Sequence, residues 1–241
     1  MLIIGLTGGI STGKSTVTTR LHHHHGIPVV DADLIARQVV APGTRGYREI
    51  LAYFQSLVTD LVNEDGTLNR PALGRAIFGK SEDAQRHRDR LNSIVHPAVR
   101  REMLKQVLWA WIRFESMIVL DIPLLFETGL YKFCGATVTV YCSKERQLAR
   151  LMTRDGSTES QAQSRVDSQI DIEIKAERSD YVVDNEGDLD HLYYEVDQFV
   201  TTVRPYRLWA WLEILCPPFG LLMGAAVLGL RNLSSKSRAS A

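Results

Sequence analysis

The chain has only three cysteines, Cys134, Cys142 and Cys216, and no two of them stand at a pairing or metal-ligand spacing. That scarcity argues against a disulfide framework or a structural zinc site and for a reducing compartment. Net charge is also missing, since 28 Lys and Arg balance 28 Asp and Glu. The balance argues against a broad nucleic-acid-binding face, while leaving room for a local basic pocket that takes a phosphorylated small molecule. No charged, apolar and cleavage regions follow one another at the N-terminus, so no secretory signal is expected. Apolar residues, by contrast, make up 45% of the 241 residues, enough for the core of one α/β domain with insertions.

What is present is organised around residues 2–16. An apolar, strand-like run (Leu2, Ile3, Ile4, Leu6) leads into Gly8, four residues, and then Gly13-Lys14-Ser15, the spacing G-x-x-x-x-G-K-[ST] of a phosphate loop. Glycines let such a loop turn tightly and point its N–H groups at phosphate oxygens, at the positive end of the helix that follows. Lys14 is expected to reach the β- and γ-phosphates of a nucleoside triphosphate and the Ser15 hydroxyl to hold Mg²⁺.

After a helix over Thr16–His23 come His22-His23-His24-His25. Successive helical residues point in different directions, so the four cannot meet one ion, and a solvated helix end is expected. Gly26 stops the helix, and Ile27–Val30 reads as a second strand ending at Asp31-Ala32-Asp33. Carboxylates there stand at the sheet edge where open α/β folds bind ligands. Alternation lets Asp31 and Asp33 face one side, one serving Mg²⁺ or a helix start and the other accepting a proton; either one equally caps the helix beginning near Leu34.

From Leu34 to about Arg113 the pattern is mostly helical, with breaks expected at Ala41-Pro42-Gly43, Glu64-Asp65-Gly66 and His96-Pro97. This is too long for a simple crossover and predicts an inserted helical lobe. His96, Arg100 and Arg101 stand out because arginines in the opening turn of a helix after a His-Pro turn oppose its dipole, which hints at anion binding. Met117–Asp121, Ala136–Tyr141 and Asp180–Asp184 complete five short strands, which predicts an α/β fold with a mostly parallel sheet. Asp121 is the expected second acidic element near Mg²⁺, and Glu127 either joins it or starts a helix. Between the last two strands, Arg146, Arg150 and Arg154 recur every four residues, the pattern of a basic flap over triphosphate charge. Beyond residue 203 no charged residue occurs from Ile214 to Leu230. Two readings stand for 208–230: contact with a membrane, or packing on the domain or a partner.

Gly5-Leu6-Thr7-Gly8-Gly9-Ile10 with Gly13-Lys14-Ser15, Val30-Asp31-Ala32-Asp33, Asp65-Gly66-Thr67-Leu68-Asn69-Arg70, His96-Pro97-Ala98-Val99-Arg100, Asp121-Ile122-Pro123-Leu124-Leu125-Phe126-Glu127 and Arg150-Leu151-Met152-Thr153-Arg154-Asp155 together resemble the dephospho-CoA kinases. The resemblance covers residues 1–203. It implies a P-loop NTPase-like fold like that of adenylate kinase, with a core, a helical CoA-side lobe at about 34–113 and a lid at about 143–178; the hydrophobic tail over 204–241 lies outside the resemblance. It implies ATP-dependent phosphorylation of the ribose 3′-hydroxyl of dephospho-CoA, with Mg²⁺ as cofactor. Residue by residue, it implies Asp33 as the base at that hydroxyl, Thr7 in the active-site motif, and Gly8, Gly9, Ile10, Ser11, Thr12, Gly13, Lys14, Ser15 and Thr16 around the ATP phosphates. Arg150 matches the lid arginine that meets those phosphates, Asn185 a residue near adenine, and His96, Arg100 and Leu124 the CoA side. Ser11-Thr12 departs from the Gly-Ser of many members. A cytoplasmic location, or one on the cytosolic face of the mitochondrial outer membrane or endoplasmic reticulum, is expected. A nucleotide kinase of the same fold and a silent, membrane-tethered scaffold remain as alternatives.

Overall fold

The computed structural model describes residues 1–79, 81–205, 224–226 and 229. In chain order its elements are β1 (Leu2–Gly8), α1 (Lys14–His23), β2 (Val29–Asp31), α2 (Ala32–Gln38), α3 (Arg45–Phe54), α4 (Arg70–Ile77), α5 (Glu82–Ile112), β3 (Met117–Asp121), β4 (Ala136–Tyr141), α6 (Lys144–Asp155), α7 (Glu159–Val166), α8 (Ile172–Arg178), β5 (Tyr181–Asp184) and α9 (Leu189–Val203), with a 3₁₀ turn at Leu130–Phe133. They divide into two compact units, Met1–Val30 with Trp109–Ala241, and Asp31–Leu108.

The first unit is built on a parallel sheet of strand order β2-β3-β1-β4-β5. Its inner strands β3, β1 and β4 are largely buried on both faces, as a sheet covered by crossover helices demands, while the edge strands β2 and β5 are partly exposed. Val17 and Leu21 of α1 and Leu192, Val196, Phe199 and Val200 of α9 close one face over Ile4, Leu6, Val119, Val138 and Val140. The hydroxyls carried into the sheet are all matched: Thr137 Oγ1 donates to Asp180 Oδ2 at 2.9 Å and Thr139 Oγ1 to the Lys175 carbonyl at 3.2 Å. In the second unit Ile50, Phe54, Leu61, Leu73 and Ile94 gather α3, α4 and α5 into a separate core.

One expected break is absent. α5 runs unbroken from Glu82 to Ile112 with Pro97 inside it. Pro97 cannot donate to the carbonyl one turn back, at Ser93, but both residues are exposed, so water can take that carbonyl. His96 and Arg100 are therefore mid-helix, and the dipole argument for Arg100 falls away. β2 is also shorter than expected, because Asp31 already caps α2, accepting the Leu34 N–H at 2.9 Å.

The histidine run is only partly a solvated helix end. His22, His23 and His24 are exposed, but His25 is half-buried and its Nε2 lies 2.7 Å from Asp197 Oδ1 on α9. Arg20 holds the same carboxylate with both arms of its guanidinium, at 3.1 and 2.8 Å. Arg20 chiefly, with His25, depresses the Asp197 carboxyl to about 2. The residues read as a hydrophobic tail lie outside the described residues except 204, 205, 224–226 and 229. Among the described residues, no helix is long and apolar enough to cross a membrane.

A carboxyl with a depressed pKa stabilises the fold above its unfolded pKa and loses that contribution as pH falls through the folded one. Asp197 is more than a third exposed, so solvent screening keeps the contribution small. Asp197→Asn is expected to lower the unfolding free energy by about 1 kcal/mol at neutral pH. Urea titrations at several pH values are expected to show this deficit closing as pH falls from about 4 toward about 2.

Candidate active site

Parallel pairing sets Leu6 opposite Asp121, Gly8 opposite Val140 and Tyr141 opposite Asp184. The chain segments that leave β1, β3 and β5 therefore meet at the same sheet edge. Lys14, the first residue of α1, reaches across and donates from Nζ to Asp121 Oδ1 at 2.5 Å. Asn185, just past β5, is buried; its N–H donates to the Tyr141 carbonyl at 2.8 Å and its Nδ2 to the Thr12 carbonyl at 2.7 Å. This side-chain amide pins the loop at its tightest point. Gly13 there has φ +90°, a left-handed conformation, and a Cβ on it would strike the Asn185 amide, so only glycine fits.

Two buried polar atoms at the loop have no partner among the described residues: Ser11 Oγ and Arg150 Nη1. Ser11 sits at φ +59°, a region where a non-glycine residue is strained. This is the position at which the sequence departs from glycine. Arg150 donates from Nη2 to the Asn185 carbonyl at 3.2 Å, while its Nη1 lies 3.9 Å from where a Gly13 side chain would begin. A buried guanidinium arm beside main-chain amides at a helix start is a place an anion completes.

The arginine stripe of α6 does not act as one surface. Arg146 pairs with Glu186 at 3.1 Å, and the Ser143 N–H with Arg146 keeps that carboxyl below its usual range. Arg154 and Arg165 both bind Asp155, whose carboxyl they draw down to about 2. Arg150 alone of the stripe keeps a donor toward the loop.

Thr7 is fully buried and donates to the Pro123 carbonyl at 2.9 Å, so it braces the segment after β3. Leu124 in that segment is partly exposed. Two further residues hold the site and carry no sequence signal. Lys175 on α8 has no exposed surface; it donates to the same Pro123 carbonyl at 3.1 Å and pairs with Glu127 at 2.9 Å. Glu127 is thus a structural anchor and starts no helix. Gln147 is buried on α6, donates to the Cys142 carbonyl at 3.2 Å, and packs its Oε1 against Gly9, so that a side chain there would have to displace it. A mid-helix lysine and glutamine in a polar stretch look like surface residues until the packing is known.

The Ser15 hydroxyl and the Asp121 carboxylate supply hard oxygen donors, the kind that suits Mg²⁺. Asp33, His96 and Arg100 belong to the second unit. Asp33 is exposed on the first turn of α2, and no carboxylate-binding partner engages it among the described residues; His96 and Arg100 lie one turn apart on the exposed face of α5.

A phosphate loop between the central strand of a parallel sheet and its first crossover helix defines the class, a P-loop kinase. The dephospho-CoA kinase family profile matches residues 2–191. The chain is 44% identical over 237 residues to dephospho-CoA kinase CAB5 of Saccharomyces cerevisiae, covering 98% of this chain and 96% of that one. It is 46% identical over 189 residues to a dephospho-CoA kinase of Halalkalibacterium halodurans, covering 78% and 90%. The fold superposes on dephospho-CoA kinase from Campylobacter jejuni with a TM-score of 0.63 at 27% identity, over 84% of this chain and 96% of that one. The chain belongs to the dephospho-CoA kinase family.

The Asn185 contact is the tether whose loss the kinetics should register. Asn185→Ala leaves the buried Thr12 carbonyl unmatched, and the KM for ATP in steady-state assays is expected to rise about tenfold.

Proposed function

We propose that the chain transfers the γ-phosphoryl group of ATP with a donor site in the sheet unit and acceptor-facing groups in the helical unit. The reaction is that of the family, phosphorylation of dephospho-CoA in the final step of CoA biosynthesis. The acceptor atom is the ribose 3′-hydroxyl. The backbone of Gly8–Thr16 cradles the phosphates, Lys14 meets the β- and γ-phosphates, and Arg150 neutralises charge on the transferred group. Ser15 and Asp121 would hold Mg²⁺, which when bound supplies positive charge to the phosphate oxygens. Asp33 orients the acceptor hydroxyl and takes its proton, a role open to an exposed carboxylate that no salt-bridge partner engages. Thr7 and Lys175 position the segment that follows Asp121, and Asn185 positions the loop. His96, Arg100 and Leu124 are assigned to the acceptor side, and residues 143–178 to a lid.

The observation that supports this reading is the free Nη1 of Arg150, a buried cationic donor beside the loop while its helical neighbours are paired with acids. The test is a coupled ADP-release assay with ATP and dephospho-CoA, with the product mass measured. Lys14→Ala is expected to abolish turnover. Asp33→Asn is expected to lower kcat by about a hundredfold or more with a much smaller change in the KM for dephospho-CoA. Full turnover in Asp33→Asn removes it as the base.

For the tail we propose membrane contact through 208–230, on the strength of the charge-free run Ile214–Leu230 and the tryptophans before it. Carbonate extraction of the full chain is expected to leave it with the membrane fraction, and a chain ending at residue 204 to be released.

A further inference from the structure

The second unit holds a cavity of about 440 Å³ whose polar lining is Arg37, Asn63, Thr67 and Arg70. Two guanidinium groups reach it and no carboxylate does. Among the described residues neither Arg37 nor Arg70 has an acidic partner, whereas Arg45 in the same unit pairs with Glu49 and Arg86 with Asp83. Asp65, the acid nearest Arg70 in sequence, is turned into its own loop, accepting the Thr67 N–H at 2.9 Å and the Thr67 hydroxyl at 2.6 Å. The Asn63 amide is likewise spent on Thr67, at 2.9 Å. Arg70 is the first residue of α4, where the helix dipole disfavours a cation, so the fold gains nothing from a positive charge there. The rest of the lining is mainly apolar: Val40, Ala41, Pro42, Leu68 and Pro71. Two unpaired cations above an apolar wall suit a ligand with a doubly charged anionic group and an uncharged arm.

Arg37 also stands four residues beyond Asp33 on α2, so both project from one face of the helix about 6 Å apart along its axis. A nucleotide ribose carries its 3′-hydroxyl and its 5′-diphosphate on opposite edges of one small ring. An acceptor whose 3′-hydroxyl meets Asp33 therefore has its 5′-diphosphate about one helical turn away, at the level of Arg37. We propose that Arg37 and Arg70 bind the diphosphate of dephospho-CoA and that its pantetheine arm lies along the Val40–Pro42 and Leu68 wall. The proposal rests on the reading of Asp33 as the base at the acceptor hydroxyl. Guanidinium forks match phosphate oxygens two at a time, which makes this pair the affinity determinant for the acceptor.

Steady-state kinetics on the full chain test it with Arg37→Gln, Arg70→Gln and the double variant. Each single change is expected to raise the KM for dephospho-CoA about tenfold or more, and the double change further. The KM for ATP is expected to stay within about twofold, and kcat at saturating acceptor to fall far less than KM rises. Arg37→Lys and Arg70→Lys, which keep the charge and lose the fork, are expected to fall between parent and glutamine variants. A KM for dephospho-CoA within about threefold of the parent in the double variant overturns the proposal. So does a parallel rise in the KM for ATP, which would mark the arginines as supports of the fold. Asp33→Asn separates the two assignments. Loss of kcat there with an unmoved KM in the double arginine variant sinks the cavity assignment alone, whereas normal kcat in Asp33→Asn sinks the base assignment whatever the arginines do.

Discussion

Parallel pairing of β1 with β3 on one side and β4 on the other is the constraint from which the site follows. A parallel ladder aligns the carboxyl ends of its strands, and here the segments leaving those ends carry the phosphate loop, Asp121 and Asn185. With β1 in the middle, the loop has an acid-bearing strand on one flank and the strand leading toward Asn185 on the other. The Lys14–Asp121 pair and the Asn185 amide are consequences of strand order.

Around that edge the polar groups are settled in a definite hierarchy. Acids absorb the arginines that would repel one another: Glu186 takes Arg146, and Asp155 takes Arg154 and Arg165. Buried hydroxyl and ammonium groups close onto main-chain carbonyls, as Thr7 and Lys175 do together on Pro123. What is left over is informative because so little is left. In the sheet unit the remainder at the loop is Ser11 Oγ and an arm of Arg150; in the helical unit it includes a pair of arginines around an acid-free cavity. Groups that folding does not satisfy are the groups a ligand can.

Much of this was legible from the chain itself. The glycine-lysine-serine spacing is local, so the loop needs no tertiary information to be seen. Five short, mainly apolar runs alternating with helical stretches were enough for a parallel α/β sheet, because strands covered by crossover helices are rich in apolar residues. The misreadings share a cause. His96-Pro97 looks like a turn because proline removes one hydrogen bond, yet an exposed face tolerates that loss and α5 continues. Glu127 looks like a site acid or a helix start, yet a lysine forty-eight positions later, Lys175, claims it.

The sequence by itself determined the strand and helix alternation, the phosphate loop and the family, since each resides in residue types at fixed spacing. Tertiary structure alone decided which polar residues are spent and which are free. Whether Arg150 keeps a donor while Arg154 does not, whether Lys175 and Gln147 are surface or core, and whether Arg37 and Arg70 share a cavity all depend on distances between segments far apart in the chain. Spacing carries no record of those distances; packing creates them.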